Sequence, residues 1–279
     1  MPTTLADADR AISALWPLSG AESWDAVGLI AGDPGSEVRA IHLAVDAVPE
    51  TVDETLEFGA QLLLTHHPLL LRGVTSVAED RYKGVVLGRL IRGGAALISA
   101  HTNADVVARG TSAVLAERLG LLDTRPIQAG SGAGSGVGSD PCVGLGRVGR
   151  LPEPTTLGVL ARRIADLLPA TAQGVRVAGE YDQPVTTVAL CAGAGDSLLA
   201  DPEVVAADVY LTSDLRHHPA SEARERARLG RGPALIDVSH WASEWLWLEV
   251  AAEQLRSALP GVAITVSELR TDPWDFAIV

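Results

Sequence analysis

The sequence has little cysteine, a deficit of positive charge and no long hydrophobic run. Its 279 residues include two cysteines, which excludes a disulfide framework and favours a cytoplasmic protein. Acidic residues number 35 and basic residues 22, and the resulting net charge of −13 argues against nucleic acid or an anionic membrane surface as partner. No apolar run reaches the roughly 18–20 residues of a membrane span, and the first ten residues lack the apolar segment of a secretory signal.

Several common catalytic motifs are also absent. The sequence contains no Walker-type glycine loop, no Gly-x-Ser-x-Gly elbow and no Rossmann fingerprint. The hydrophobic fraction of 47% and the charged fraction of 20% are close to those of ordinary globular proteins. The length predicts one large domain or two modest ones.

Short apolar segments alternate with helical patterns along most of the chain. The predicted strands cover residues 38–45, 62–65, 95–100, 143–148, 185–191, 208–214, 233–238 and 262–266, with another near residue 175. The predicted helices cover residues 49–59, 80–92, 111–119, 155–168, 219–229 and 239–259. Short buried strands between helices predict an α/β fold with mixed or parallel sheets covered by helices.

A Gly/Ser-rich stretch divides the chain into two predicted lobes. Residues 1–128 form the first lobe, residues 141–279 the second, and residues 129–140 have almost no side chains that could enter a core. This stretch is either a mobile loop or a disordered tether without function. Both lobes place polar residues after buried strands, a pattern for which internal duplication is one interpretation.

Adjacent histidines follow the predicted strand 62–65. His66 and His67 point in opposite directions if the backbone is extended, and Pro68 favours that conformation for His67. Two diverging imidazoles suit two metal ions better than one. The alternative is a pair of solvent-exposed turn histidines.

A second polar group follows the predicted strand 95–100. His101 supplies an imidazole, and Asp105 supplies a hard oxygen ligand of the kind that catalytic metal sites combine with imidazole. Asn103 lies between them. The alternative is that this segment forms the N-cap or Asx turn of the next helix.

A third group opens the predicted helix 239–259. His240 and Glu244 are four residues apart, so their side chains share one helical face. The preceding apolar strand and the nearby tryptophans predict a buried helix start, where an unpaired glutamate would be costly and a metal ion would remove that cost. The alternative is an ordinary surface pair.

Two further segments are less decisive. Residues 22–29 either shape a pocket wall or form a loop that packs Trp24 on the core, and the second interpretation is favoured. Residues 214–219 place His217 and His218 at another strand end, where one of them could act in a pocket and the other would be solvated.

Five segments together resemble one family. They are residues 24–29, 65–68, 99–105, 208–214 and 236–244, and they occur in the family order. The chain resembles the GTP cyclohydrolase I type 2 homologues, also called NGG-interacting-factor-like dinuclear metal proteins, over roughly residues 24–269. The family commonly has Asn at Ala26, and Tyr-His-Asp at residues 217–219.

The resemblance implies a toroidal homohexamer in which each chain binds two divalent ions. The implied metal ligands are His66, His67, Asp105, His240 and Glu244. In the implied arrangement, Asp105 joins His67 at one ion, His240 joins His66 at the other, and Glu244 bridges both. His101 lies beside the site as a proton donor, so that His101 and Glu244 are the expected catalytic residues.

The resemblance implies hydrolysis of a small molecule by metal-activated water. The family name indicates a purine nucleotide as substrate and hydrolytic opening of the guanine ring. Imidazole and carboxylate ligands suit Zn, Fe, Mn or Ni, so the sequence does not name the metal. The alternative function is a non-catalytic, metal-binding oligomer that acts as a regulatory or protein-binding factor.

Overall fold

The computed structural model describes residues 2–130 and 141–278. Two compact units emerge from it, one formed by residues 2–107 and 248–271, the other by residues 108–130, 141–247 and 272–278. These units overlap the predicted lobes 1–128 and 141–279 without coinciding with them, since part of the C-terminal region belongs to the first unit. Of the predicted loop 129–140, residues 131–140 lie outside the described residues.

The first unit contains a five-stranded sheet. Its strands, in chain order, are β1 (Gly28–Ala31), β2 (Ala40–Ala44), β3 (Leu62–Thr65), β4 (Ala96–Ser99) and β13 (Ala263–Val266). They lie in the order β1-β4-β3-β2-β13, and all neighbours are parallel except β1 and β4. The C-terminal segment joins this unit because β13 pairs with β2. Every residue of β3 and β4 is buried, as expected for strands covered on both faces.

The helices of the first unit begin and end at recognisable signals. They are α1 (Leu5–Leu15), α2 (Pro49–Glu57), α3 (Tyr82–Gly93), the single turn α4 (Thr102–Asp105) and nearly all of α10 (Trp247–Ala258). Thr4 and Asp7 form a capping box at the start of α1. Pro49 occupies the first turn of α2, where its missing N–H costs nothing. Gly94 ends α3 in the left-handed conformation.

The second unit contains a six-stranded mixed sheet and a two-stranded one. The larger sheet is built from β5 (Leu122–Arg125), β8 (Arg147–Thr156), β9 (Arg176–Ala178), β10 (Pro184–Ala194), β11 (Val209–Ser213) and β12 (Ala234–Val238). The order is β5-β8-β10-β11-β12-β9, and β10, β11 and β12 are parallel. The smaller sheet pairs β6 (Gln128–Ala129) with β7 (Gly144–Leu145). The helices are α5 (Thr111–Arg118), α6 (Leu157–Leu167), α7 (Pro202–Val205), α8 (His217–Arg228) and α9 (His240–Trp245).

The structure confirms the mixed α/β fold and corrects several details. The predicted helix 239–259 is two helices, α9 and α10, which meet at Leu246. The strand predicted at 143–148 is the pair β7 and β8, and β8 continues to Thr156. Helix α1 and strand β1 were not predicted, although the capping box at Thr4 is visible in the sequence. Among the helices of residues 2–130 and 141–278, none combines the length and apolar character required to span a bilayer.

Candidate functional site

His66 and His67 lie directly after β3, in the first unit. His66 is fully buried, and its Nδ1 lies 2.9 Å from the carbonyl oxygen of Ala100, at the end of the neighbouring strand β4. A carbonyl oxygen only accepts, so Nδ1 donates and the lone pair of the ring is on Nε2. The solvent-exposed turn interpretation is therefore wrong for His66.

His67 is held by a carboxylate that the sequence analysis did not select. Its Nδ1 lies 2.7 Å from Oδ1 of Asp46, two residues after the end of β2, and the side chain of His67 is partly exposed. The other oxygen of Asp46 accepts a hydrogen bond from Thr271. The available signal was the position of Asp46 at the end of a buried strand, beside the strand that carries the histidine pair.

His101 is the third imidazole of this group. Its Nδ1 lies 2.9 Å from Oδ1 of Asp25, whose side chain is fully buried and also accepts hydrogen bonds from the N–H and hydroxyl of Thr102. Trp24 is 59% exposed, and its ring centroid lies 6.0 Å from that of His101. The expectation that Trp24 packs on the core is wrong, because the loop turns Asp25 inward instead.

These three imidazoles face one another. The ring centroid of His66 lies 5.1 Å from that of His67 and 5.2 Å from that of His101. One ring nitrogen from each residue falls within 4.8 Å of the other two, so the group could hold a metal ion. Burial lowers the pKa of His101, the neighbouring His66 acts in the same direction, and Asp25 opposes both.

Asp105 closes α4 beside His66. Its Oδ1 lies 3.7 Å from Nε2 of His66, whereas the resemblance assigns Asp105 to the ion of His67. The capping interpretation is wrong for Asn103, because His101 is the N-cap residue of α4 and no side chain of that cap makes a capping hydrogen bond. Asn103 instead accepts a hydrogen bond from the N–H of His101 and donates one to the carbonyl of Trp16. Asp105 thus adds a carboxylate to the donor set of the first unit, and its assignment to the ion of His67 stays a prediction.

His240 and Glu244 form the donor pair of the second unit. Ser239 caps α9, His240 is the first residue of that helix, and Nε2 of His240 lies 3.0 Å from Oε1 of Glu244. Nδ1 of His240 lies 2.7 Å from Oδ2 of Asp214, a non-glycine residue with φ of +57°. Because Glu244 is buried, the interpretation as an ordinary surface pair is wrong.

The charges around His240 favour its protonated form when no cation competes. Burial lowers the pKa of His240, but Glu244 and Asp214 together outweigh burial, and the pKa lies well above its ordinary value. The carboxylate is also closely confined, since a Cβ added to Gly193 would collide with Oε1 of Glu244. A positive charge among two carboxylates is thus favourable, and a metal ion would supply it in place of the proton.

An oxygen acceptor contacts Nδ1 at each of the four histidines described above. Nδ1 of His66, His67, His101 and His240 contacts a carbonyl or carboxylate oxygen, which is the way in which proteins orient metal-binding imidazoles. His42 differs, because its Nδ1 contacts Thr265 and its Nε2 contacts Glu54, so both nitrogens serve the fold. The two histidines at the start of α8, His217 and His218, are exposed, and their rings meet edge to face with centroids 5.2 Å apart.

Comparisons with known proteins place these sites in a family. The family model described as Duf34/NIF3 (NGG1p interacting factor 3) matches residues 3–273. A GTP cyclohydrolase 1 type 2 homolog from Streptomyces coelicolor is 48% identical over 276 residues, covering 97% of this chain and 93% of that protein. A homolog of the same name from Mycobacterium tuberculosis is 37% identical over 377 residues, covering 99% of this chain and 97% of that protein.

Solved structures agree with this result. The crystal structure of Staphylococcus aureus protein SA1388 matches with a TM-score of 0.87 and 27% identity, covering 99% of this chain and all of that one. A Bacillus cereus protein related to NIF3 has the same fold, with a TM-score of 0.87 and 23% identity over 98% of this chain and 99% of that one. The resemblance seen in the five sequence segments is therefore confirmed, and the chain belongs to the Duf34/NIF3 family.

Proposed function

We propose that this protein is a metal-dependent hydrolase that binds two divalent ions per chain. The observation that carries the proposal is the orientation of its histidines, whose Nδ1 atoms are held by oxygen acceptors at all four positions. The donors fall into two sets. His66, His67 and Asp105 belong to the first unit, and His240 and Glu244 belong to the second.

The donor chemistry fits divalent transition metals. Neutral imidazole and carboxylate suit Zn, Fe, Mn and Ni, and the buried carboxylate of Glu244 gains a positive partner when a cation is present. Such ions supply Lewis acidity, which makes water a stronger nucleophile and polarises the bond under attack. With His101 assigned to proton transfer, the first set offers three donors and the second two, so neither set alone closes a four-coordinate structural site.

His101 is the residue that we assign to proton transfer. Asp25 fixes Nδ1 of its ring, and burial keeps its pKa below the ordinary value, so Nε2 can take up a proton and release it again. The exposed ring of Trp24 lies beside it and could contact a bound substrate. Asp25 acts as a positioning residue that holds the tautomer of His101.

The proposed substrate is a purine nucleotide, and the proposed reaction is hydrolytic opening of the guanine ring. The name shared by the Streptomyces coelicolor and Mycobacterium tuberculosis relatives, GTP cyclohydrolase 1 type 2 homolog, supports this substrate class. A cytoplasmic location, which the low cysteine content favours, is part of the same proposal. Neither cysteine forms a disulfide in the structure, and Cys142 is exposed whereas Cys191 is buried.

The test combines metal content with turnover of GTP. We expect the wild-type protein to bind two ions per chain and to consume GTP, as measured by elemental analysis and chromatography. Glu244→Gln should lose most of the metal, because the resemblance assigns Glu244 to both ions, and Asp105→Asn should lose one ion. His101→Gln should keep the metal and lose turnover. Glu225→Gln, which alters an exposed carboxylate on α8, is the matched control and should change neither property.

A metal content of zero after reconstitution would overturn the metal-binding proposal. Retention of two ions together with no hydrolysis of GTP or of a panel of other nucleotides and esters would favour the alternative function. In that case the protein would be a metal-binding oligomer with a regulatory or protein-binding role. Loss of metal in His101→Gln would make His101 a ligand instead of a proton carrier.

A further inference from the structure

The last described residues of the second unit carry a row of exposed apolar side chains. Trp274, Phe276 and Ile278 are 61%, 77% and 91% exposed, and residues 274–278 belong to no helix or sheet of the described chain. The residues between them are smaller or charged, so the three large side chains would share one face of an extended strand. We call residues 274–278 the apolar segment. An exposed row of this kind indicates a surface that a partner covers.

The apolar segment begins at a fixed point and includes a carboxylate. The hydroxyl of Ser239 donates a hydrogen bond of 2.6 Å to Oδ1 of Asp272, two residues before Trp274. Asp275 is exposed and forms no ion pair of 4 Å or less with any other described residue. The segment therefore offers one charged side chain together with its apolar ones.

A groove of about 350 Å³ lies beside β9 in the same unit, and we call it the β9 groove. Much of its lining is small or apolar, namely Gly158, Ala161, Ala165, Val175, Val177 and Gly179. Strand β9 comes last in the order of the six-stranded sheet, so one of its edges pairs with no other strand of the described chain. An open edge beside an apolar groove is suited to an added extended strand.

Tyr181 and Arg162 complete the lining of the β9 groove. The ring of Tyr181 lies against Gly158, where an added Cβ would be 2.3 Å from Cε2 of the ring. The hydroxyl of Tyr181 accepts a hydrogen bond of 3.1 Å from Nε of Arg162. No carboxylate of the described chain lies within 4 Å of that guanidinium, and Asp166, one turn along α6, acts on it at longer range. The guanidinium is thus held at the groove and is available to a ligand.

The sequences of β9 and the apolar segment complement each other. Residues 175–177 read Val-Arg-Val and residues 274–276 read Trp-Asp-Phe. In extended backbone, each places two apolar side chains on one face and a charge on the other, and the two charges are opposite. Arg176 is bonded to Asp237 but remains largely exposed, so its guanidinium has donors left for a second carboxylate. Because one sequence carries both patterns, the match favours a second copy of this chain as the partner.

We propose that the apolar segment of one chain docks into the β9 groove of a second copy of this chain. The segment pairs with the free edge of β9, and its aromatic side chains pack on Val177 and on the alanines of α6. The ring of Trp274 stacks with the guanidinium of Arg162. Asp275 faces Arg176 on the other side of the sheet.

The contact area is that of one element of a larger interface. Buried tryptophan and phenylalanine side chains each lose roughly 150–250 Å² of exposed surface, whereas a standard interface buries roughly 800 Å² per partner. The two aromatic side chains therefore supply about half of what one partner contributes. This fits an assembly with further contacts, such as the homohexamer that the family resemblance implies.

Chemical cross-linking of the full-length protein tests the contact directly. In a Cys142→Ser background, which removes the exposed thiol, a chain with Phe276→Cys is co-expressed with a chain with Ala165→Cys, and a bismaleimide is added. Ala165 is an exposed position of α6 at the groove. We expect a covalent species of twice the 29.1 kDa chain mass, and much less of it from either variant alone. Leu229→Cys, exposed outside the groove lining, is the matched control in place of Ala165→Cys and should give little product.

Two results of this experiment would overturn the proposal. One is the absence of the covalent dimer in the co-expressed pair. The other is an internal cross-link, without the dimer, in a single chain that carries both cysteines, because the segment would then occupy the groove of its own chain.

Substitutions in the segment separate its apolar and charged contributions. We expect Trp274→Ala combined with Phe276→Ala to raise the dissociation constant between chains by about tenfold or more, and Asp275→Lys by about threefold or more. Leu229→Ala and Glu153→Lys, an exposed position on β8, are the controls and should leave it unchanged. Sedimentation velocity over a dilution series measures the constant. Unchanged association in the double variant, or a wild-type protein that sediments as one chain, would contradict the proposal.

The result is separable from the proposed hydrolase activity. None of these residues belongs to the metal donor sets, so the Trp274→Ala, Phe276→Ala double variant should keep the metal content of the wild type. A wild-type protein that bound no metal and still gave the cross-linked dimer would contradict the proposed function alone.

Discussion

At the scale of single residues, Gly193 leaves open the space that the carboxylate of Glu244 occupies, because a glycine has no side chain. Its φ is +70°, and an added Cβ would collide with Oε1 of Glu244 and lie 3.2 Å from Nε2 of His240. The N–H of Gly193 donates to Ser243, and its carbonyl accepts from Thr212, so the backbone there cannot move away freely. A side chain at this position would therefore displace the carboxylate.

We expect Gly193→Ala to lose metal binding as well as stability. The left-handed conformation costs an alanine roughly 1–2 kcal/mol, and the collision with Glu244 adds the loss of a ligand. Gly230→Ala is the matched control, because Gly230 has φ of +71° and nothing within 4 Å of the added Cβ. In urea unfolding, Gly193→Ala should lose at least as much stability as Gly230→Ala, because the collision adds to the same conformational cost. Equal metal content in the two variants would show that Gly193 does not shape the site.

Asp208 stabilises the second unit in a pH-dependent way. Its Oδ2 accepts hydrogen bonds from the N–H groups of Thr186 and Thr187 and from the hydroxyl of Thr187, at 2.7–2.8 Å. Burial alone would raise the pKa of Asp208, but these three donors outweigh it and hold the pKa below its ordinary value of 3.8. The charged form is thus favoured by folding.

We expect Asp208→Asn to be less stable than the wild type at neutral pH. A depressed pKa in the folded state contributes stability that is fully present above the ordinary pKa and is lost as the pH falls through the folded value. The difference in free energy of unfolding between the two proteins should therefore be constant from about pH 7 to 5 and shrink below about pH 3.8. Urea titrations across this range measure it. A difference that grew in acid would contradict the assignment.

At the scale of secondary-structure elements, the first turn of α9 sets the position of the second donor set. Ser239 caps this helix by accepting a hydrogen bond from the N–H of Ala242, and its hydroxyl donates to Asp272 at 2.6 Å. His240 follows directly as the first helical residue. The cap therefore fixes where α9 begins and, with it, the direction of the imidazole of His240.

We expect Ser239→Ala to lower the free energy of unfolding by about 1 kcal/mol and metal affinity by about tenfold. Thr156→Ala is the control, because Thr156 caps α6 in the same way through the N–H of Val159. Its stability should fall by a similar amount with no change in metal affinity. Competition with a fluorescent chelator gives the affinities, and a parallel loss of affinity in both variants would mean that only global stability is being measured.

At the scale of the whole molecule, we propose a toroidal homohexamer, as the family resemblance implies. The chain mass is 29.1 kDa, so the expected particle has a mass of about 175 kDa. Analytical ultracentrifugation at micromolar concentration measures this mass directly. A single species with the mass of one chain would contradict the proposal.

The sequence by itself determined most of the secondary structure and showed which histidines and carboxylates follow the buried strands. Buried strands such as β3 and β4 are continuous apolar runs, and the polar residues that follow them are visible without a structure. The four-residue spacing of His240 and Glu244 is likewise local information, because helical periodicity alone brings them together. Strand β1 and the single turn α4 are four residues long and were missed, and α1 was missed although its buried residues Leu5, Ala8 and Ile12 recur at helical spacing.

Only the tertiary structure decided which oxygen holds each imidazole. Asp25 precedes His101 by 76 residues, Asp46 precedes His67 by 21, and Asp214 precedes His240 by 26. No local period links such positions, since they meet only where neighbouring strands and loops of a sheet end together. The same reason explains why Asp105 lies beside His66, because strand order and loop path, which fix this contact, are properties of the folded chain.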